Sequence, residues 1–252
     1  MTYTTLSFRL FFISMLMVVS CQKEDQNLCL HESGILNQKT IPLEEFHAVH
    51  LYLNAEVTIH PADKHHIHLK DDSTLLQQIT TEVENKTLKI ENQFDNCNSL
   101  NALKISVGLH HLRHLLTTKK NRIQLHPFSS MQGWNIHLTD HSTLDFVAGD
   151  KLKEMNVHLS RGAKVVCKNT SPISIDQLTL NVLGKGHFDG YAIEAKEAHV
   201  RFEGSGWCKV HAQEKLDVII YGDAMVYCKD MPHFLSVSQA VEKFISPIDF
   251  FF

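Results

Sequence analysis

Between Phe46 and Glu91 apolar and polar residues alternate with a period of two. Val49, Leu51 and Leu53 are separated by His50 and Tyr52, Val57 and Ile59 by Thr58, and Ile67 and Leu69 by His68. Such alternation predicts strands with one apolar and one polar face. Residues 81–84 and 87–90 flank Asn85-Lys86, which suits a two-residue hairpin turn. Residues 73–78 alone have helical character, with Ser73 as the expected cap.

The second half repeats. Six turns align: Thr118-Lys119-Lys120-Asn121, Thr139-Asp140-His141-Ser142, Ser160-Arg161-Gly162-Ala163, Leu183-Gly184-Lys185-Gly186, Glu203-Gly204-Ser205-Gly206 and Tyr221-Gly222-Asp223-Ala224. Their first residues are 21, 21, 23, 20 and 18 apart. Three residues before each turn stand Leu115, Ile136, Val157, Leu180, Val200 and Val218. Five after its first residue come Ile123, Leu144, Val165, Phe188, Cys208 and Val226. The position between the inward ones is mostly polar. Each repeat therefore reads as strand, tight turn, strand. A near-constant period with no intervening helix predicts stacked repeats whose inward residues form ladders, because one repeat cannot bury its own apolar face. The expected fold is all-β: a parallel β-helix of about six coils, right-handed, preceded by an N-terminal β-strand region. The expected divisions are a signal peptide at 1–20, a tether at 21–40, the N-terminal β region at 41–115, the repeats at 116–237 and a C-terminal cap at 238–252.

The N-terminus changes the picture of where this fold works. Arg9 is the only charge in the first twenty residues, and residues 10–19 are an apolar run with Ser14 as its one polar interruption. That run is too short to span a bilayer, which takes roughly 20 residues, and suits a signal-peptide core. It ends in Val18-Val19-Ser20-Cys21, which resembles a bacterial lipobox. The resemblance implies cleavage before Cys21, lipid on its thiol and a membrane as partner through that lipid. An ordinary secretory signal with a chance cysteine is the competing reading. Gln22-Lys23-Glu24-Asp25 resembles the acidic signal that exports some lipoproteins to the cell surface. The expected location is the outer membrane, lipid-anchored and surface-facing, with the periplasmic face as the alternative.

The formal charge of −4 becomes −5 without Arg9, and an acidic balance argues against a nucleic-acid partner. Five cysteines follow Cys21, so at least one stays free or pairs between chains. Cys29 and Cys97 flank the N-terminal region and are the expected disulfide, with both free as the alternative. Cys167, Cys208 and Cys228 fall on inward ladders as small hydrophobes.

Two features together resemble the GIN-domain family of lipid-anchored bacterial proteins, described as auto-transporter adhesin head domains. One is residues 46–60, Phe-His-Ala-Val-His-Leu-Tyr-Leu-Asn-Ala-Glu-Val-Thr-Ile-His, with the segment from Leu75-Leu76 to Ile90. The other is the repeated Ser-Gly-Ser-Gly-like turn, as in Glu203-Gly-Ser-Gly and Leu183-Gly-Lys-Gly. The likeness covers about 41–237. The turns at Thr139, Ser160 and Tyr221 depart from the pattern, since glycines are missing there. The family implies a β-helical fold at the cell envelope. It carries no catalytic residue to this chain.

Chemistry is sparse. His66 and His68 share a strand face, and His137 and His158 would stack about 4.8 Å apart on neighbouring repeats, next to Asn181 and Arg201. These four histidines are the candidate metal ligands. No metal motif supports them, so imidazoles tolerated on a polar face are the preferred reading and no metal or other cofactor is assigned. Asp145 and Asp189 share an outward ladder about 9.6 Å apart, at the edge of the range for an inverting glycosidase pair, roughly 6.5–9.5 Å. Solvated surface aspartates fit them better. Phe250, Phe251 and Phe252 are expected to close the last coil, with an exposed tail that contacts a partner as the alternative. The resulting expectation is a non-enzymatic binding or adhesion module presenting Trp134, Trp207 and Tyr227 to a glycan or protein. A glycan-active β-helix enzyme and a scaffold that self-associates end to end are the alternatives, and the oligomeric state stays open.

Overall fold

Alternation along the chain is matched by burial. In β3 (Ala55–Pro61) residues 55, 57 and 59 are buried and those between them half-buried. A computed structural model describes residues 36–93, 103–128, 133–150, 152–239 and 248–250, which belong to one unit spanning 31–252. Cys21, Cys29, Cys97, Phe251 and Phe252 lie outside the described residues, as does the side chain of Phe250.

The described chain is all-β, with seventeen strands in one hydrogen-bonded sheet. The N-terminal strands are β1 (Leu36–Pro42), β2 (Ala48–Leu51), β3, β4 (His66–Asp72), β5 (Ile79–Glu84), β6 (Thr87–Asn92) and β7 (Lys104–Leu109). After them come β8 (His114–Thr117), β9 (Asn121–Leu125), β10 (Gly133–Leu138), β11 (Thr143–Phe146), β12 (Glu154–Ser160) and β13 (Lys164–Cys167). Next are β14 (Ile173–Gly184), the long β15 (His187–Cys228), β16 (Phe234–Gln239) and β17 (Ile248–Phe250). The single helix among the described residues, α1 (Ser73–Leu76), is shorter than the pattern predicts. Its cap is Asp72, not Ser73: the Asp72 carboxylate accepts from the Thr74 N–H at 2.8 Å, and a carboxylate satisfies an orphan first-turn donor well.

The repeat spacing is the sheet register. Ile136 pairs with Val157, Val157 with Leu180 and Leu180 with Val200, all in parallel. Leu115 lies between Val49 of β2 and Ile136 of β10. A second ladder runs Val57, Ile123, Leu144, Val165, Phe188. Every one of these residues is almost fully buried, so each adds about 1.5–3 kcal/mol of apolar burial. Exceptions to parallel pairing cluster at the N-terminal end, where β4 runs antiparallel to β1 and β7, and β5 to β6.

Three turns use left-handed backbone without relying on glycine pairs. Asn85 and Lys86 have φ of 50° and 61°, Asp140 and His141 53° and 59°, and Arg161 and Gly162 50° and 79°. At Asn85-Lys86, which joins the antiparallel β5 and β6, two consecutive positive φ values match the twist of the flanking strands. The turns that lack the glycines of the family pattern at Thr139 and Ser160 are therefore tight. A Cβ at Gly162 would also lie 2.5 Å from Nδ1 of the exposed His141, whose ring would have to move aside. An ion pair of 3.2 Å between Arg161 and Asp140 ties one turn to the next.

At Ser142 the inward ladder turns polar. Its buried hydroxyl donates to the Lys119 carbonyl at 2.7 Å and accepts from the Asn121 N–H and the Thr117 hydroxyl, each at 3.1 Å. Thr117 in turn accepts from the Thr139 N–H at 3.2 Å. Buried hydroxyls are tolerated where every bond is met.

Candidate functional site

Two outward surfaces result from these ladders. On the first, His137, His158, Asn181 and Arg201 stand in one row, as the repeat alignment predicts. The His137 and His158 rings are 5.7 Å apart at 42°, and burial, then the neighbouring His158, holds His137 below its ordinary pKa. Beside this row a groove of about 390 Å³ is lined by Thr179, His199, Arg201, Asp217, Ser236 and Ser238 among others. His199 Nδ1 lies 3.1 Å from Asp217, whose carboxylate also takes Lys215 at 2.7 Å. The hydrogen bond from Lys215 keeps Asp217 below the usual carboxylate range. His199 Nε2 also lies 3.7 Å from Glu197, so the imidazole stands between two carboxylates.

His66 and His68 are engaged within the protein. His66 Nδ1 donates to the Lys64 carbonyl at 2.9 Å, and His68 Nδ1 is 2.8 Å from the Thr40 hydroxyl. Among the described residues no group of three or more His, Cys, Asp or Glu could hold a metal ion. Asp145 and Asp189 do share a row across Val166, and each has a lysine: Lys168 at 3.7 Å and Lys209 at 3.4 Å. Cys167, Cys208 and Cys228 are free thiols. Burial pushes all three upward in pKa, away from the thiolate form a nucleophile needs. Cys167 is only half-buried.

Trp134 corrects the sequence reading. It is 2% exposed and packs in the core; its row partner is the buried Met155. The signal was in the alternation, since Trp134 has the same parity as the inward Ile136 and Leu138. Trp207 and Tyr227 are half-buried and outward. Trp207 stacks on His187 with centroids 5.0 Å apart at 29°. The Lys209 ammonium sits 5.2 Å from the Trp207 ring centre and 5.3 Å from that of Tyr191, and it also reaches Asp189. Burial raises the Tyr191 phenol to about 12. His187, Tyr191 and Lys209 complete this cluster and were not singled out from sequence, because only folding brings residues of successive repeats together.

The described residues form an all-β protein with one large sheet, and its outward rows carry the polar and aromatic clusters described above. The chain belongs to the GIN-domain family: the family model described as "putative auto-transporter adhesin, head GIN domain" matches residues 45–232. Similar solved structures share the fold. One, a "putative adhesin" from Bacteroides fragilis, is 16% identical, with a TM-score of 0.72 over 81% of this chain and 93% of that one. A second "putative adhesin", from Parabacteroides distasonis, is 14% identical, with a TM-score of 0.64 over 82% and 95%. A "putative lipid binding protein" from the same species is 19% identical, with a TM-score of 0.57 over 86% and 97%. No curated protein matches the sequence. Among the described residues no helix is long and apolar enough to cross a membrane.

Proposed function

We propose that this chain is a non-enzymatic binding or adhesion module of the cell envelope, held to the outer membrane by lipid on Cys21. Its repeats stack as a parallel β-helix of about six coils. The observation that carries the reading is the outward cluster of His187, Trp207, Lys209 and Tyr191. Aromatic faces with a cation set between them suit recognition of glycans and proteins. Burial holds the Cys208 thiol away from the thiolate form that a nucleophile needs, and Asp145 and Asp189 are each paired with a lysine.

The test is binding of the mature chain to immobilised envelope and host-surface glycans and proteins. Trp207→Ala with Lys209→Ala should weaken the binding at least about tenfold without changing the melting temperature. Undiminished binding by that folded variant overturns the reading, as does release of reducing ends from any polysaccharide. Palmitate labelling should be lost in Cys21→Ser, and protease shaving of intact cells distinguishes the surface from the periplasmic face.

A second reading rests on β16. Leu235 and Val237 pair with Leu216 and Val218, which are buried, yet are themselves 39% and 42% exposed, beside Phe234 at 72%. Exposed ladder residues at the end of a stack suit end-to-end self-association. Sedimentation that is concentration-dependent, and abolished by Leu235→Asp, would support it.

A further inference from the structure

The first strands of the domain and the Trp207 cluster are joined by one row of outward side chains. Lys70 stands directly opposite Lys104, and Lys104 opposite Glu56. The row continues through Arg122, Thr143 and Lys164 to His187, which stacks on Trp207. Four cations face one carboxylate, Glu56, which lies 3.9 Å from Arg122. Among the described residues neither Lys70, Lys104 nor Lys164 has an ion-pair partner. Elsewhere on the surface Lys86, Lys168, Lys196 and Lys209 each meet an acid. Like charges placed directly across a strand pair, as Lys70 and Lys104 are, disfavour the fold, so this row, offset only by Glu56, is a cationic feature of an otherwise acidic chain.

The neighbouring row is polar without being cationic. His68, Ser106, Thr58 and Gln124 run alongside the first cations and form, with them, a groove of about 280 Å³. Hydroxyl, amide and imidazole groups beside ammonium groups fit a ligand that carries both hydroxyls and carboxylates. No Phe, Tyr or Trp side chain lines the groove, so the His68 imidazole is the one ring it offers for a base to stack on. Strand spacing puts successive row members about 4.8 Å apart, close to the advance per sugar of an extended polysaccharide.

The geometry points to a linear acidic polysaccharide as ligand, lying across the strands along the Lys70–His187 row with its far end at Trp207. This rests on the binding reading above and names its ligand class.

The experiment titrates the mature chain with oligogalacturonates of three and twelve residues. Neutral xylo-oligosaccharides and a single-stranded DNA oligonucleotide of matched charge serve as comparators. The twelve-residue acid should bind at least about tenfold more tightly than the three-residue one. The variant Lys70→Gln, Lys104→Gln, Lys164→Gln should lose about tenfold for the long acid and show a shallower salt dependence. It should still bind any neutral ligand of the Trp207 cluster, and that retained binding separates failure of this inference from failure of the binding reading. Length-independent affinity, equal binding of the DNA, or no effect of the triple variant overturns it.

Discussion

The Trp134 and Phe146 rings meet edge to face, 5.4 Å between centroids and 77° between planes, from strands on either side of the Thr139 turn. Both are almost fully buried. The pair therefore braces the two inward ladders against each other, combining large area burial with a favourable ring geometry. Trp134→Ala should cost about 3–5 kcal/mol, read as a lower urea midpoint. A loss under about 1 kcal/mol would mean that the site collapses around the gap.

Gly204 has a φ of 133°, and a Cβ there would lie 2.5 Å from the Gly184 carbonyl oxygen. Gly204→Ala should lower the melting temperature clearly. Gly133→Ala is the comparison, because its Cβ would meet nothing nearer than 3.8 Å and no positive φ is involved. That variant should melt within a degree or two of the parent.

Ser142→Ala removes the acceptor for the Asn121 N–H and the donor to the Lys119 carbonyl. Buried groups left unpaired cost about 1–3 kcal/mol. Amide exchange should also accelerate at Asn121 and Thr139 first, since the Thr117–Ser142 bond orients the acceptor of Thr139. Uniform acceleration across the domain would contradict this local account.

Stability should fall as pH drops through the histidine range. Burial, as the largest cause, holds His47, His50, His65, His137 and His187 below the ordinary value of 6.5. The unfolded chain therefore takes up protons first, so stability is full above pH 6.5 and declines as pH falls through the lowered values. His65 Nδ1 accepts from the Phe46 N–H at 3.1 Å, a bond that its protonation breaks. His65→Gln should flatten the melting curve between pH 7 and pH 5; an unchanged slope would remove His65 from the explanation.

Much of the fold could be read in advance because it is written in local terms. Period-two alternation sets which side is buried, and repeat spacing sets which residues pair, as His137 beside His158 shows. Trp134 was misplaced when its residue type was weighed above its parity. Asp72 was missed as a cap because Ser73 is an equally good residue type one position later. The Trp207 cluster was harder to see: His187, Tyr191, Trp207 and Lys209 are ordinary residues separately, and only the stacking of successive repeats makes them neighbours. The likeness between Lys70 and Lys104 was invisible for the same reason, since an antiparallel pairing of distant strands brings them opposite.

The pairing of Gly133–Leu138 with Glu154–Ser160 has a constant offset, with His137 matched to His158 and Leu138 to Leu159. Excising residues 139–159 would therefore join Leu138 to a turn equivalent to the one it now precedes, leaving every remaining ladder in step. Duplicating the same span would insert one more layer. Length in such a protein is a quantised variable, changed by whole repeats of about 4.8 Å each. A lineage can thus lengthen or shorten the stacked sheet by unequal recombination without redesigning a core.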